Sequence, residues 1–294
     1  MKVERPDGHR RLSSVLPIRA LIPNAITVAA LCSGLTAVRF AMADEFEKAL
    51  LAIFLAGVLD MADGRIARML KGSTRFGAEL DSLSDNAAFG VAPALIVYFW
   101  TLQYLPGIGW IVALAHAVCA ALRLARFNAN LDVDDVPHKK HGFLTGVPAP
   151  VGAGLTLSPM FLFYWLEPTN IDYPTIGAGF TAIVVAVSAF LMISNIPTYS
   201  WKVVSLPRHS RLFALVGVAL LLGALLSAPF MTLSLISIAY AATIPFSLRK
   251  WRRIKRRGEA PPAPAANADE VPGGPRLVRE PAVEEPTEPE APKA

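Results

Sequence analysis

Charge is scarce in this 294-residue sequence: Asp, Glu, Lys and Arg supply 17% of it, against 53% apolar residues. Water-soluble domains carry closer to a quarter charged residues, so an ordinary soluble enzyme describes this chain poorly. A disordered protein is excluded as well, because disorder goes with low hydrophobicity and high charge. Cysteine is scarcer still. Two of them, Cys32 and Cys119, cannot build a disulfide scaffold. Both fall in apolar runs and read as small buried hydrophobes. What the chain has in excess is apolar length. Its mean hydropathy is +0.44, gathered into long runs separated by short polar clusters, which is the pattern of a multi-spanning membrane protein.

The net charge of +5 hides a division. From Glu259 to the end there are 8 acidic and 3 basic residues together with 9 of the 24 prolines, which leaves 25 Lys and Arg against 15 Asp and Glu before it. Residues 259–294 cannot bury enough apolar surface to offset their ordering entropy, so they read as a disordered acidic tail with no part in chemistry. The basic surplus elsewhere suits cytoplasmic loops better than nucleic acid, and no nucleic-acid partner is expected.

A spanning helix needs about 20 largely apolar residues. Eight runs qualify: Ile22–Met42, Ala49–Met69, Ser82–Tyr104, Ile108–Phe127, Val147–Leu166, Ile176–Asn195, Leu212–Ala228 and Phe230–Leu248. The expected fold is therefore an all-α polytopic membrane bundle of about eight transmembrane helices. Lys and Arg cluster before the first run and after the second, fourth, sixth and eighth, whereas the alternate loops hold only Lys48. That bias puts both termini in the cytoplasm. The expected layout is a basic segment 1–20, a transmembrane catalytic domain 21–248, a basic juxtamembrane segment 249–258 and the tail. The first 19 residues are charged and the first run is long, so no cleavable signal peptide is expected.

The second run is odd, because LLAIFLAGVL leads straight into Asp60-Met61-Ala62-Asp63-Gly64-Arg65-Ile66-Ala67-Arg68. Charge at that depth is expensive and points to function. Asp60, Asp63 and Gly64 share a helix face, and Gly64 and Ala67 leave room on it for a ligand or a second helix. The third run opens with a matching pair, Asp81 and Asp85, one turn apart. A short turn, Lys71–Phe76, joins the two helices and brings four carboxylates together. Four anions in a low-dielectric setting repel unless cations hold them. Carboxylate oxygens without Cys or His select Mg²⁺ or Mn²⁺, and a pair of such ions suits displacement at phosphorus.

The run Asp60-x2-Asp63-Gly64-x2-Ala67-Arg68-x8-Gly77-x3-Asp81-x3-Asp85 resembles, without departure, the signature of the CDP-alcohol phosphatidyltransferase family. The resemblance implies a membrane enzyme, often a homodimer, that displaces CMP from a CDP-linked lipid with an alcohol. Carried onto this chain, Asp60, Asp63 and Asp81 would be metal ligands, and Asp85 would complete the metal site and serve as general base. Gly64 and Ala67 would let the cytidine nucleotide approach, with Arg68 and Gly77 completing the motif.

Three further stretches resemble the branch of that family that takes serine, with CDP-diacylglycerol as donor. They are Pro23-Asn24-x2-Thr27, the extension Asp81–Ala94, and Ala121-Leu122-Arg123-Leu124-Ala125-Arg126-Phe127-Asn128 followed by Phe143–Pro150. Asn24 and Thr27 either cap the first helix or reach the nucleotide; the resemblance favours the second. Arg123 and Arg126 lie i,i+3, and a guanidinium fork suits the carboxylate of L-serine. The competing reading makes them positive-inside anchors. His138, Lys139, Lys140 and His141 could collect anions but read better as a solvated loop. Siblings using glycerol phosphate, inositol phosphate or choline are the nearest alternatives, and a carboxylate-lined cation transporter a distant one. The expected setting is the inner membrane of a bacterium, with the site facing the cytoplasm.

Overall fold

The first two apolar runs fold back on one another. In the computed structural model, which describes residues 18–70, 72, 74–129, 143–166, 173–194, 197–199 and 210–257, α1 (Ile18–Met42) and α2 (Phe46–Met69) meet along most of their length. Asp44 makes the turn between them with φ 59°, a left-handed conformation that Asp tolerates. Next come α3 (Arg75–Asp85), a π-helical turn (Asn86–Val91), α4 (Ala92–Trp100), a 3₁₀ turn (Leu102–Tyr104) and α5 (Ile108–Ala129). The remaining helices among the described residues are α6 (Ala149–Leu166), α7 (Tyr173–Ile193), α8 (Ser210–Ser227) and α9 (Pro229–Arg257). Among the described residues, the one departure from an all-helical fold is a small antiparallel pair, β1 (Phe143–Thr145) and β2 (Pro197–Tyr199), with Phe143 opposite Tyr199.

The described residues fall within the unit Met1–Glu259. The acidic tail, the N-terminal segment up to residue 17 and the group His138 to His141 lie outside the described residues. The basic stretch 249–257 continues α9 as helix.

Among the described residues, four helices are long and apolar enough to cross a membrane: Leu21–Met42, Ile108–Ala129, Ala149–Leu166 and Pro229–Phe246. Gly177–Ile193 and Leu212–Ser227 are shorter apolar helices. α2 is long enough, but the charges from Asp60 to Arg68 interrupt its apolar character.

The expected third span, Ser82–Tyr104, is a composite. Pro93 has no N–H to offer the carbonyl of Phe89, four residues back, so the ladder slips by one residue. The N–H of Ala92 accordingly reaches the carbonyl of Ala87, five residues back. Small residues let other helices close on this turn. A Cβ on Gly34 of α1 would sit 2.8 Å from the Cα of Ala88, and one on Gly90 would sit 2.9 Å from the Cβ of Ala120 in α5. His116 of α5, fully buried, places Nδ1 3.0 Å from Thr156 Oγ1 and meets the backbone of Phe89.

The main core joins α1, α2, α4 and α6 around Leu50, Ile96, Leu157 and Met160. A second, alanine-rich cluster (Ala56, Ala88, Phe89, Leu124, Ala149 and Ala153) lies nearer the acidic end of α2. Cysteine corrects one expectation: Cys32 is exposed and Cys119 is half-buried. In a helix bundle built for lipid the outward faces are apolar too, so an apolar run does not imply burial within protein.

Candidate active site

Helical periodicity brings the acidic residues to one place. Asp60 and Asp63 of α2 and Asp81 of α3 each offer an oxygen, and these oxygens all lie within 4.8 Å of one another. Asp85, one turn beyond Asp81, forms a hydrogen bond with the Asp60 carboxyl. α1 holds the group from behind. The Thr27 hydroxyl donates to Asp63 Oδ2 at 2.7 Å, with the Pro23 carbonyl 3.1 Å away, and Ser84 Oγ donates to the Thr27 carbonyl at 3.2 Å. Asp63 is only 4% exposed. Burial, then the charges of Asp63 and Asp60, push the Asp81 carboxyl up to about 6. Carboxylates this close coexist only with protons or cations among them. All the donors are hard oxygens, so the set fits Mg²⁺ or Mn²⁺, which Asp60, Asp63 and Asp81 would hold beside Asp85.

A cleft of about 140 Å³ opens beside these residues, lined by Pro23, Asn24, Thr27, Asp63, Gly64, Ala67, Gly72, Thr74, Gly77, Ala78 and Asp81. Asn24 is 8% exposed, and its Nδ2 is buried without a hydrogen-bond partner. A buried donor left unsatisfied is costly, so a ligand acceptor in the cleft would relieve it. The two motif glycines do different work. A Cβ on Gly64 would meet nothing within 4 Å, which leaves open cleft above the helix. A Cβ on Gly77 would stand 2.8 Å from Asn24 Oδ1, so Gly77 is what lets α3 approach Asn24. Thr74 caps α3 by accepting from the Gly77 N–H at 3.0 Å. Arg68 lies on the exposed side of the last turn of α2 and lines neither this cleft nor the cavity described next.

That second space, an apolar cavity of about 780 Å³, lies between α2, α6 and α9 and includes Asp60 in its lining. The two arginines of α5 part company here. Arg126 donates to the carbonyls of Ile193 at 3.1 Å and Ser194 at 3.5 Å, which closes the C-terminal end of α7. Arg123 is half-buried, its Nε has no hydrogen-bond partner, and its electrostatic neighbours are Asp85, Arg126 and Tyr240. Asn128 Nδ2 donates to Ser82 Oγ at 2.9 Å and ties the end of α5 to the acidic helix.

Sequence reasoning missed Thr74, the Ser82–Asn128 tie and Tyr240. Thr74 was findable as a helix-start residue just before α3. A lone Tyr in an apolar run gives no such signal.

The family model described as CDP-alcohol phosphatidyltransferase matches residues 20–194, more than half of the chain, and a second, CDP-alcohol phosphatidyltransferase 2, matches residues 209–245. Among similar proteins, a CDP-diacylglycerol–serine O-phosphatidyltransferase of Mycobacterium tuberculosis is 36% identical over 272 residues, covering 87% of this chain and 86% of its own. The protein of the same name from Mycobacterium leprae is 36% identical over 245 residues, 82% of this chain and 78% of its own. That from Helicobacter pylori is 32% identical over 185 residues, 62% and 73%.

Proposed function

This chain belongs to the CDP-alcohol phosphatidyltransferase family, and we propose that the alcohol it uses is L-serine. The enzyme would transfer the phosphatidyl group of CDP-diacylglycerol to serine, giving phosphatidylserine and CMP. One observation carries the reading beyond the relatives' printed names. Arg123, a half-buried guanidinium with an unpartnered Nε, stands within electrostatic reach of Asp85 at the acidic cluster. A cation so placed suits the carboxylate of an amino-acid acceptor.

The roles follow from chemistry. Asp85 takes the proton of the serine hydroxyl, whose oxygen attacks the lipid-bearing β-phosphorus while the bond to CMP breaks. Mg²⁺ or Mn²⁺, one ion or two, supplies charge neutralisation for the diphosphate and the leaving CMP when bound. Asn24, Thr27, Asp60, Gly64, Ala67 and Gly77 form the nucleotide side, and Arg68, exposed on the last turn of α2 and outside the cleft lining, would reach the nucleotide from solvent. The apolar cavity that includes Asp60 offers a place for the acyl chains, so the donor would lie with its diphosphate at the carboxylates and its tails in apolar surroundings. Catalysis then rests on positioning and electrostatics.

The proposal extends to an eight-span topology with both termini cytoplasmic, the layout 1–20, 21–248, 249–258 and 259–294, and a homodimer in a bacterial inner membrane with its site facing the cytoplasm. The loop charges and the bacterial relatives support the placement; the family resemblance supports the dimer.

The deciding experiment supplies the enzyme with CDP-diacylglycerol, Mn²⁺ and labelled L-serine, glycerol 3-phosphate, inositol phosphate or choline in turn, and separates the lipid products by chromatography. Labelled phosphatidylserine is expected, with none in excess chelator. A lipid formed from another acceptor and none from serine overturns the assignment.

A further inference from the structure

Tyr240 belongs to α9, more than a hundred residues after the acidic motif, yet it counts among the electrostatic neighbours of Arg123. It also lines the apolar cavity that contains Asp60. Ser237, Tyr240 and Thr243 line that cavity at i, i+3 and i+6, one hydroxyl-bearing stripe on an otherwise apolar helix segment. Thr243 donates its hydroxyl to the carbonyl of Tyr240. Lipid tails have no use for a phenol hydroxyl, which Tyr240 brings to this wall. Arg126 is engaged with the end of α7. Arg123 is thus the arginine of the pair left within electrostatic reach of Asp85, and a carboxylate seated on its guanidinium keeps lone pairs for one more donor.

We propose that Tyr240 is a specificity-determining residue that completes, with Arg123, the recognition of the acceptor's carboxylate, its hydroxyl donating to that group. Arg126 is then a positioning residue, fixing the end of α5 against α7. The inference rests on the serine reading above and deepens it by dividing acceptor recognition between α5 and α9.

The test uses the full-length enzyme with CDP-diacylglycerol and Mn²⁺. L-Serine is compared with L-serinamide, which keeps the attacking hydroxyl and loses the carboxylate. Wild type is measured first: if it makes no product from serine, the serine reading itself fails, before any variant is considered. Given serine use, Tyr240→Phe should raise KM for serine roughly 10- to 100-fold, the equivalent of one hydrogen bond to a charged group, and leave KM for CDP-diacylglycerol unchanged. The preference for serine over serinamide should shrink by the same factor. Adding Tyr240→Phe to Arg123→Gln should cost little more than Arg123→Gln alone, because both act on one carboxylate. Tyr240→His, which keeps a ring donor, should retain most of the preference and covers the case in which the Phe variant folds poorly. A rise in KM for CDP-diacylglycerol instead, or an unchanged serine-to-serinamide ratio in Tyr240→Phe, overturns the proposal and assigns Tyr240 to the lipid cavity.

Discussion

Gly64→Ala separates a structural glycine from one that keeps space for a ligand. Gly64 lies inside α2, on an exposed part of its surface, and an added Cβ would meet no atom within 4 Å. Ala is favoured over Gly in a helix interior by about 0.8–1 kcal/mol, so the metal-free and nucleotide-free variant should be at least as stable as wild type. For a chain of this size the gain corresponds to about 2–4 °C in Tm. Gly64 also lines the cleft beside Asp63 and Asn24, where the added methyl would stand in the path of a nucleotide. Overpacking at a close contact costs about 1–3 kcal/mol, which is roughly a 5- to 150-fold loss of affinity. The assays are thermal unfolding of detergent-solubilised protein and calorimetric titration with CDP in Mn²⁺. Unchanged CDP affinity in a well-folded variant would refute the cleft as the nucleotide seat. A lowered Tm would refute the open space above α2. Gly77→Ala is the contrasting case. Its Cβ would press on Asn24 Oδ1 at 2.8 Å, so stability and nucleotide binding should fall together.

Asp85→Asn should cut turnover by about 10²–10⁴-fold, the range for a lost general base, while CDP-diacylglycerol still binds. Asp60→Asn should weaken Mn²⁺ and nucleotide binding together, and equal loss of nucleotide affinity in both variants would make Asp85 chiefly a ligand. Thr27→Val keeps the shape but removes the donor 2.7 Å from Asp63. Loss of such outer support lowers metal affinity or activity by about 10- to 100-fold, and a Mn²⁺ titration of activity indistinguishable from wild type would remove Thr27 from that role. Truncation after Gly258 should leave membrane insertion and turnover nearly intact, since the removed tail is acidic, proline-rich and without an apolar face. A truncated enzyme that inserts yet loses most of its rate would give the tail a catalytic role.

The sequence by itself determined the family, the helical membrane character and the four carboxylates. Those features are local: apolar length sets the helices, and i,i+3 and i,i+4 spacing sets which Asp residues share a face. The same spacing made Arg123 and Arg126 look like a pair, and it could not separate them. Their separation depends on where α7 ends, because the carbonyls of Ile193 and Ser194 engage Arg126 while Arg123 is left within electrostatic reach of Asp85. Gly64 and Gly77 likewise look equivalent in the motif, yet one faces open space and the other faces Asn24. The π turn follows from Pro93 once the helix is known, but its close seat against Gly34 and His116 is set by packing among α1, α5 and α6. Tyr240 is the clearest case. Its nearness to Arg123 joins residues far apart in the chain, and hydrophobic periodicity, which reports only the face of its own helix, carries no information about which distant side chain that face will meet.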